Sequence, residues 1–206
     1  MKNLILLFLS TLFISACGQN KSQTASSKSS VATAQRDTLV GIKGCESAKC
    51  EETTTGRNYS YAKHKIKTVL SEEGVGEEIY VFTEGVKDTF WIENIDAHHF
   101  YGIKDNLMFV DNGTGPNGRS LLIYDLKNRK PVHEARYETE MRFEQNKLIY
   151  MTPLDTRNLR LAASVCPDRE KWEKQGLSFG YGQYISFDLS SHEAEERGEY
   201  TCYPIQ

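Results

Sequence analysis

The adjacent residues His98 and His99 form the most distinctive polar pair in the sequence. Together with His64 or His133, they would offer the imidazole nitrogens that zinc and copper prefer. Neighbouring residues of a β-strand point to opposite faces, however, so one ion cannot readily take both side chains. We therefore predict neither a metal site nor a cofactor from these histidines.

Three aspartates, Asp111, Asp125 and Asp188, are candidates for acid–base catalysis or calcium binding. Asp125 and Asp188 each follow an aromatic residue and precede a leucine, at the end of a predicted strand. Aspartate in this position commonly accepts hydrogen bonds from the turn that follows. The sequence has no Walker phosphate loop and no His-Glu-x-x-His, so the catalytic residues of an enzyme stay unassigned.

Aromatic side chains are the main candidates for a binding surface, because the chain has 11 tyrosines, 9 phenylalanines and 2 tryptophans. Most of them should fill the core of a β protein. We select Tyr181, Trp91 and Tyr101 as candidates for stacking on a glycan or a peptide. Tyr181 ranks first because glycines stand close to it on both sides.

The elements that position these residues are mostly strands. Residues 57–70 alternate, with Lys63, Lys65 and Lys67 on one face, which predicts one strand with a wet face at the edge of a sheet. The lysines could contact anionic lipid or polymer, although solvation alone explains them as well.

A short helix is predicted over residues 166–176, with a proline in its first turn and Gly176 at its end. Further strands are predicted at residues 79–83, 89–95, 107–111, 121–126, 147–152, 183–189 and 199–203. The glycine-rich residues 113–118 have no helix after them, which predicts a hairpin turn rather than a phosphate site.

A weak internal repeat of roughly forty residues runs through the second half of the chain. Residues 106–110 resemble residues 147–151, and residues 123–126 resemble residues 186–189. The pattern is similar to one blade of a β-propeller of the quinoprotein or kelch type. A propeller needs about four blades at least, and the chain has barely room for them. We therefore predict a mainly β fold, a compact antiparallel sheet or sandwich with one short helix, and keep a small propeller-like arrangement as the alternative.

The N-terminus has the pattern of a secretory signal, in which Lys2 precedes an apolar stretch over residues 4–14. This stretch would span roughly 16 Å as a helix, about half of the hydrocarbon thickness of a bilayer. It ends in Ile14-Ser15-Ala16-Cys17, which resembles the lipobox of bacterial lipoproteins. In that family the cysteine receives a diacylglyceryl group, and signal peptidase II cuts just before it. The resemblance implies lipidation of Cys17, and Gly18 in place of aspartate favours the outer membrane where the source has one.

Three segments follow from this reading: a signal peptide at 1–16, a lipidated flexible tether at 17–37 and a single β-rich domain at 38–206. The tether is polar and lacks aromatics, so it cannot bury enough surface to become ordered, and its reach is about 25 Å. Loss of Lys2 changes the net charge from −3 to −4, and a mildly acidic chain has no electrostatic case for nucleic acid. We predict a membrane as partner through the lipid on Cys17, an envelope protein or glycan as ligand, and no nucleic acid.

Four cysteines remain for the domain, Cys45, Cys50, Cys166 and Cys202, and disulfides are the default in an oxidising compartment. Proximity favours Cys45–Cys50 with Cys166–Cys202 among the three pairings. A zinc site is the alternative, although the second pair is too far apart for the usual spacing of zinc ligands.

These features favour an exported, lipid-anchored envelope protein that acts as a non-enzymatic binding or structural module. The alternative is a hydrolase of envelope polymers whose active site cannot be recognised in the sequence.

Replacement of Cys17 by serine is expected to abolish labelling of the chain by a palmitate analogue, because the lipid is attached to that thiol. Metabolic labelling followed by immunoprecipitation measures the effect, and Cys50→Ser should keep full labelling. Labelling that persists in Cys17→Ser would remove the lipobox assignment.

Overall fold

The computed structural model describes residues 42–72, 75–94, 97–114, 118–138, 141–155 and 165–205. The predicted signal peptide and the tether with Cys17 lie outside these residues. All described residues belong to one unit of the chain, Ala34–Gln206. No helix among them is long and apolar enough to cross a membrane.

Within these described ranges, thirteen strands form three antiparallel sheets that follow one another along the chain. The first sheet contains β1 (Lys49–Glu52), β2 (Gly56–Ser60), β3 (His64–Leu70), β4 (Glu77–Thr83) and β5 (Phe90–Ile92). The second sheet contains β6 (His98–Lys104), β7 (Leu107–Asn112), β8 (Arg119–Asp125) and β9 (Lys130–Tyr137). The third sheet contains β10 (Arg142–Glu144), β11 (Lys147–Pro153), β12 (Ser178–Asp188) and β13 (Ala194–Ile205), with the helix α1 (Arg169–Lys174) between β11 and β12. The prediction of a mainly β, antiparallel fold with one short helix is confirmed.

One backbone hydrogen bond recurs in all three sheets and relates them as copies of one four-stranded meander. In each copy, the amide that follows the third strand donates to the carbonyl that precedes the second strand. These bonds join Glu84 to Lys63 at 3.0 Å, Leu126 to Asn106 at 2.9 Å and Leu189 to Asn146 at 3.0 Å. In the first sheet the meander is β2–β5, and β1 is an additional edge strand.

The internal repeat seen in the sequence falls on equivalent strands of two meanders. Residues 106–110 and 147–151 lie on or next to β7 and β11, and residues 123–126 and 186–189 lie at the ends of β8 and β12. Successive four-stranded meanders are what the propeller-like alternative predicts. The described residues contain three of them, fewer than the roughly four blades of the smallest propellers.

The second sheet is the middle layer, because both of its faces are covered. Met108 and Val110 pack in a cluster with the first sheet, whereas Leu107 and Phe109 pack in a cluster with the third. Residues 107–111 of β7 are all buried. A strand covered on both faces needs such a continuous apolar run in place of alternation. On the outer face of the first sheet, Lys65, Lys67, Phe82 and Trp91 are exposed.

Buried polar groups add directional links between the first and second sheets. The carboxylate of Glu77 accepts hydrogen bonds from the Thr68 hydroxyl at 3.3 Å and from the Phe100 amide at 3.2 Å. Nε2 of the buried His64 lies 3.4 Å from Oδ1 of Asn106, in the turn before β7. These bonds fix how the first sheet lies on the second, because buried polar groups are costly when they lack partners.

The prediction of a single edge strand over residues 57–70 is wrong. The chain turns at residues 61–63, where the Tyr61 amide donates to the His64 carbonyl at 2.8 Å, and it forms β2 and β3. The turn contains no glycine or proline, so nothing in the local sequence marked it. β3 lies between β2 and β4 rather than at an edge. The predicted alternation does hold inside β3, where Lys65 and Lys67 are exposed.

The helix α1 is shorter than predicted but ends at the predicted glycine. The Gly176 amide donates to the Glu173 carbonyl at 3.1 Å, and the Leu177 amide donates to the Trp172 carbonyl at 3.0 Å. This pair of bonds is a Schellman motif, which requires a left-handed residue after the helix. Gly176 supplies it with a φ of +73°.

Cys166 and Cys202 lie at disulfide distance, with 2.16 Å between their sulfurs and 5.2 Å between their Cα atoms. This pair ties the segment before α1 to β13. The other predicted pair, Cys45 with Cys50, is not bonded in the structure. Cys45 packs against the cluster between the second and third sheets, whereas Cys50 packs against the cluster between the first and second, so their side chains serve different parts of the core.

Replacement of both Cys166 and Cys202 by alanine is expected to lower the free energy of unfolding by about 3–4 kcal/mol, because the bond closes a loop with a sequence separation of 36 residues. Urea unfolding measures this loss. The wild-type chain should fall to the stability of the variant when a reductant is added, and the variant should not respond. A wild-type chain that is insensitive to reductant would show that the bond is not made.

Candidate functional site

The outer face of the first sheet carries aromatic side chains where a solvated sheet usually presents polar ones. In β4, Ile79 and Val81 pack in the core, so the alternating residues Tyr80 and Phe82 point outward. Trp91 of β5 lies directly opposite Tyr80 in the register. The exposed fraction is 50% for Trp91 and 42% for Phe82.

Two lysines of β3 stand beside these rings, and together the five residues Lys65, Lys67, Tyr80, Phe82 and Trp91 are called here the aromatic–lysine face. Lys67 is opposite Tyr80, and Lys65 is opposite Phe82. Side chains that oppose each other in this way have Cβ atoms roughly 5 Å apart, so each basic chain runs next to a ring. Neither lysine forms an ion pair with any residue in the described part of the chain.

The rings and the nearest acid have a fixed arrangement. The rings of Tyr80 and Trp91 are nearly parallel, with 15° between their planes and 6.1 Å between their centroids. The Tyr80 hydroxyl donates to Oε2 of Glu78 at 2.5 Å, and this hydrogen bond raises the pKa of Tyr80. The carboxylate of Glu78 is therefore bound to the phenol, which leaves the ammonium groups of the lysines available to a ligand.

A cavity of about 390 Å³ adjoins the Phe82 end of the aromatic–lysine face. Its lining includes Tyr61, Lys63, Lys65, Phe82 and Glu84. A volume of this size falls in the range of about 300–1,000 Å³ that is usual for ligand sites. The cavity extends the face with a recess that carries both ring and ammonium groups.

The three aromatic residues that the sequence nominated lie on three different sheets. Trp91 belongs to the aromatic–lysine face. Tyr101, in the second sheet, packs against the core, and its hydroxyl oxygen lies 3.3 Å from that of Tyr137. Tyr181, in the third sheet, is half-buried and meets Phe179 edge-on at 5.7 Å between ring centroids. The structure therefore does not bring the three candidates together.

Sequence reasoning missed Tyr80 and Phe82 as surface residues. Residues 79–82 are apolar or aromatic without interruption, and such a run resembles a strand that is buried on both faces. The available signal was the alternation between aliphatic and aromatic side chains within that run.

The carboxylate of Asp111 is fully buried and already engaged inside the protein. Nε of Arg119 donates to its Oδ1 at 2.8 Å, Nη2 of Arg119 donates to its Oδ2, and the Tyr137 hydroxyl donates to Oδ1 at 2.5 Å. Burial raises the pKa of Tyr137, which keeps this hydroxyl protonated as a donor. A carboxylate with these partners is a structural group rather than an exposed acid or base.

The other two aspartates bind the turns that follow them, as predicted from the sequence. Oδ1 of Asp125 accepts from the amides of Lys127 at 2.8 Å and Asn128 at 3.1 Å. Burial raises the pKa of Asp125, but the hydrogen bonds from Asn128 and Lys127 outweigh this effect and lower it. Asp188 occupies the equivalent position in the third sheet and accepts from two amides of its own turn at 2.8 and 3.0 Å.

The histidines are held separately in the interior. His98 is buried, and its Nδ1 lies 2.9 Å from the carbonyl oxygen of Glu93. His99 is half-buried, and burial lowers its pKa. Nε2 of His133 lies 2.8 Å from the Tyr150 hydroxyl, and burial lowers the pKa of His133 as well. Within the described ranges, no three His, Cys, Asp or Glu side chains converge as a metal site.

Two glycine-containing sequence patterns match enzyme motifs but lie in a different structural setting from those motifs. Residues 113–118 match the spacing Gly-x-Gly-x-x-Gly, but they connect the antiparallel neighbours β7 and β8, with no helix to follow. Residues 176–180 match the Gly-x-Ser-x-Gly pattern of serine hydrolases. That pattern requires a strand followed by a helix, whereas Ser178 here begins β12 after α1 and pairs with Ile205.

The chain matches no family model, no curated protein and no solved structure.

Replacement of Arg119 by methionine is expected to lower the free energy of unfolding by about 3–5 kcal/mol, because it leaves the buried charge of Asp111 without its counter-charge. Urea unfolding measures the loss, and the double variant Asp111→Leu/Arg119→Met should be more stable than Arg119→Met alone. Unchanged stability in Arg119→Met would show that the pair is not structural.

Proposed function

We propose that this chain is exported, anchored in a membrane of the cell envelope by lipid on Cys17, and acts as a non-enzymatic binding module. The observation that carries the binding role is the position of the exposed apolar side chains. Among the described residues, seven large apolar side chains are exposed, and five of them belong to the first sheet and its turns. These five are Leu70, Val75, Phe82, Val86 and Trp91.

Concentration of exposed apolar side chains on one sheet supports an interaction surface, because such residues are normally scattered singly over a protein. Two of the five, Phe82 and Trp91, belong to the aromatic–lysine face. A tether with a reach of about 25 Å would let the face approach material that lies beyond the lipid head groups.

Engagement of the candidate acids supports binding rather than hydrolysis. Asp111 and Asp125 accept hydrogen bonds within the protein at both carboxylate oxygens, and Asp188 accepts them at Oδ1. The rings of the aromatic–lysine face, in contrast, expose surface that has no partner within the described part of the molecule. The resulting proposal is a module that holds an envelope ligand, glycan or protein, near the membrane.

The double variant Phe82→Ala/Trp91→Ala is expected to bind isolated cell envelopes at least about tenfold more weakly than the wild-type protein, since interface aromatics of this kind contribute about 2 kcal/mol or more. Each protein is assayed with Cys17→Ser in addition, because lipid on Cys17 would insert into the membranes whichever face is changed. Co-sedimentation with washed envelopes over a range of concentrations measures the dissociation constant.

Tyr200→Ala serves as the matched control, because Tyr200 is also 42% exposed but lies in the third sheet. This control should bind as the wild-type protein does, and all variants should keep the wild-type urea midpoint. Absence of saturable binding by the wild-type protein, or equal loss in Tyr200→Ala, would contradict the proposal. Release of soluble fragments from the envelopes would contradict a non-enzymatic role.

A further inference from the structure

We infer that the aromatic–lysine face binds an anionic saccharide chain, a glycan that carries carboxylate or phosphate groups on its sugar units. This inference rests on the proposed function and names the chemistry of its ligand. Its basis is the pairing of a ring with a lysine at two successive positions of the first sheet.

The pairing repeats along the strands. One row across the sheet runs from Lys67 through Tyr80 to Trp91, and the next row joins Lys65 to Phe82. The rows are two residues apart along β3 and β4, a distance of roughly 7 Å. A polymer whose sugar units each present a ring face and an anionic group would meet the same pair of contacts in both rows.

The rings supply the contact that a saccharide requires. The C–H bonds on the face of a sugar ring are weakly positive, and they are attracted to the negative face of an aromatic ring. Trp91 and Phe82 are about half exposed, and the ring of Tyr80 is stacked with that of Trp91. The exposed apolar surface of Trp91 and Phe82 would exclude water around a charge bound next to it, which strengthens that contact.

The charges on this face favour an anionic ligand over a neutral one. Lys65 and Lys67 have no ion-pair partner among the described residues, so their charges are not neutralised within the protein. Glu51 pairs with Lys49 at 2.6 Å, Glu78 accepts the Tyr80 hydroxyl, and Glu84 lines the adjoining cavity. The three lysines Lys63, Lys65 and Lys67 outnumber the two acids Glu78 and Glu84, so the formal charge of the face and cavity is positive, although the chain as a whole carries a net charge of −3.

The cavity of about 390 Å³ adds a recess to the Phe82 end of the aromatic–lysine face. Lys63 and Lys65 both line it, together with the ring of Phe82 and with Glu84. A sugar unit held there would have one aromatic wall and two ammonium groups in reach, and Glu84 would accept hydrogen bonds from its hydroxyl groups. The recess therefore offers the same combination of an aromatic ring and lysines next to the row formed by Lys65 and Phe82.

Two other classes of anionic partner are less well matched to the face. Recognition of an anionic lipid surface commonly takes a cluster of roughly four to eight basic residues, whereas this face and its cavity offer Lys63, Lys65 and Lys67. Nucleic acids carry a denser line of charge and require a basic protein surface, which the acidic chain does not provide. A saccharide that carries anionic groups along its sugar rings would contact both the aromatic rings and the lysines of the aromatic–lysine face.

Binding of the full-length lipoprotein to defined polymers in detergent solution tests the inference. Polygalacturonate supplies carboxylates, phosphomannan supplies phosphates, and neutral mannan supplies sugar rings alone. We expect the wild-type protein to bind at least one acidic polymer roughly tenfold more tightly than neutral mannan, with an affinity that falls as salt is added. The acidic polymer that binds more tightly identifies the source of the charge.

Lys65→Gln/Lys67→Gln should remove this preference for acidic polymers, whereas Phe82→Ala/Trp91→Ala should weaken binding of acidic and neutral polymers alike. Lys127→Gln/Lys130→Gln is the matched control, because both lysines are exposed around the turn between β8 and β9. It should bind as the wild-type protein does.

The outcomes separate the inference from the proposed function. Envelope binding that needs Phe82 and Trp91 but shows no preference for acidic polymers would overturn the inference and leave the proposed function intact. Tighter binding of Cys17→Ser, which lacks the lipid, to vesicles that contain phosphatidylglycerol than to any saccharide would overturn it in favour of a membrane surface. Tighter binding of the full-length protein to single-stranded DNA would overturn it in favour of nucleic acid. Envelope binding that ignores the aromatic residues would overturn both.

Discussion

Coverage of the second sheet on both faces is the constraint on which the rest of the fold depends. Side chains of β7 point alternately to the first and third sheets, and none of residues 107–111 is left in water. Each large apolar side chain buried in this way is worth about 1.5–3 kcal/mol, so loss of either neighbouring sheet would expose several such side chains together. Asp111 is buried in the same strand, so its carboxylate needs hydrogen bonds from both Arg119 and Tyr137. A buried carboxylate without partners would destabilise the packing between the second sheet and its two neighbours.

The first sheet is the outermost layer on its side of the second sheet. No described residue covers its outer face. Exposure of Trp91 and Phe82 on that face forfeits the stabilisation that their burial would give. Nothing in the first sheet requires rings there, because the inward residues of β3 and β4 already complete the cluster with the second sheet. Under our proposal, the rings contact a ligand outside the chain. The lysines beside them are the reason for proposing that this ligand carries negative charge.

Sequence patterns predicted several strands of high apolar content: β7, β8 and β11 lie within two residues of the expected bounds, whereas β12 begins five residues before the expected start. β9 (Lys130–Tyr137) was missed because it is an edge strand with Pro131 and charged residues among its apolar positions, which resembles a loop. The aromatic–lysine face was not predictable in the same way. It exists only because the register places Lys65 opposite Phe82 and Tyr80 opposite Trp91, and register is set by packing between layers rather than by any single strand.

Side-chain footprinting by hydroxyl radicals, with and without isolated envelopes, tests the central claim that the aromatic–lysine face is the surface that contacts the ligand. Mass spectrometry of the peptides reports the oxidation rate of each exposed ring. The account predicts that the oxidation of Trp91 and Phe82 slows severalfold when envelopes are present, while that of Tyr200 in the third sheet stays the same. Equal rates at Trp91 and Phe82 in both conditions, or protection at Tyr200 instead, would contradict it.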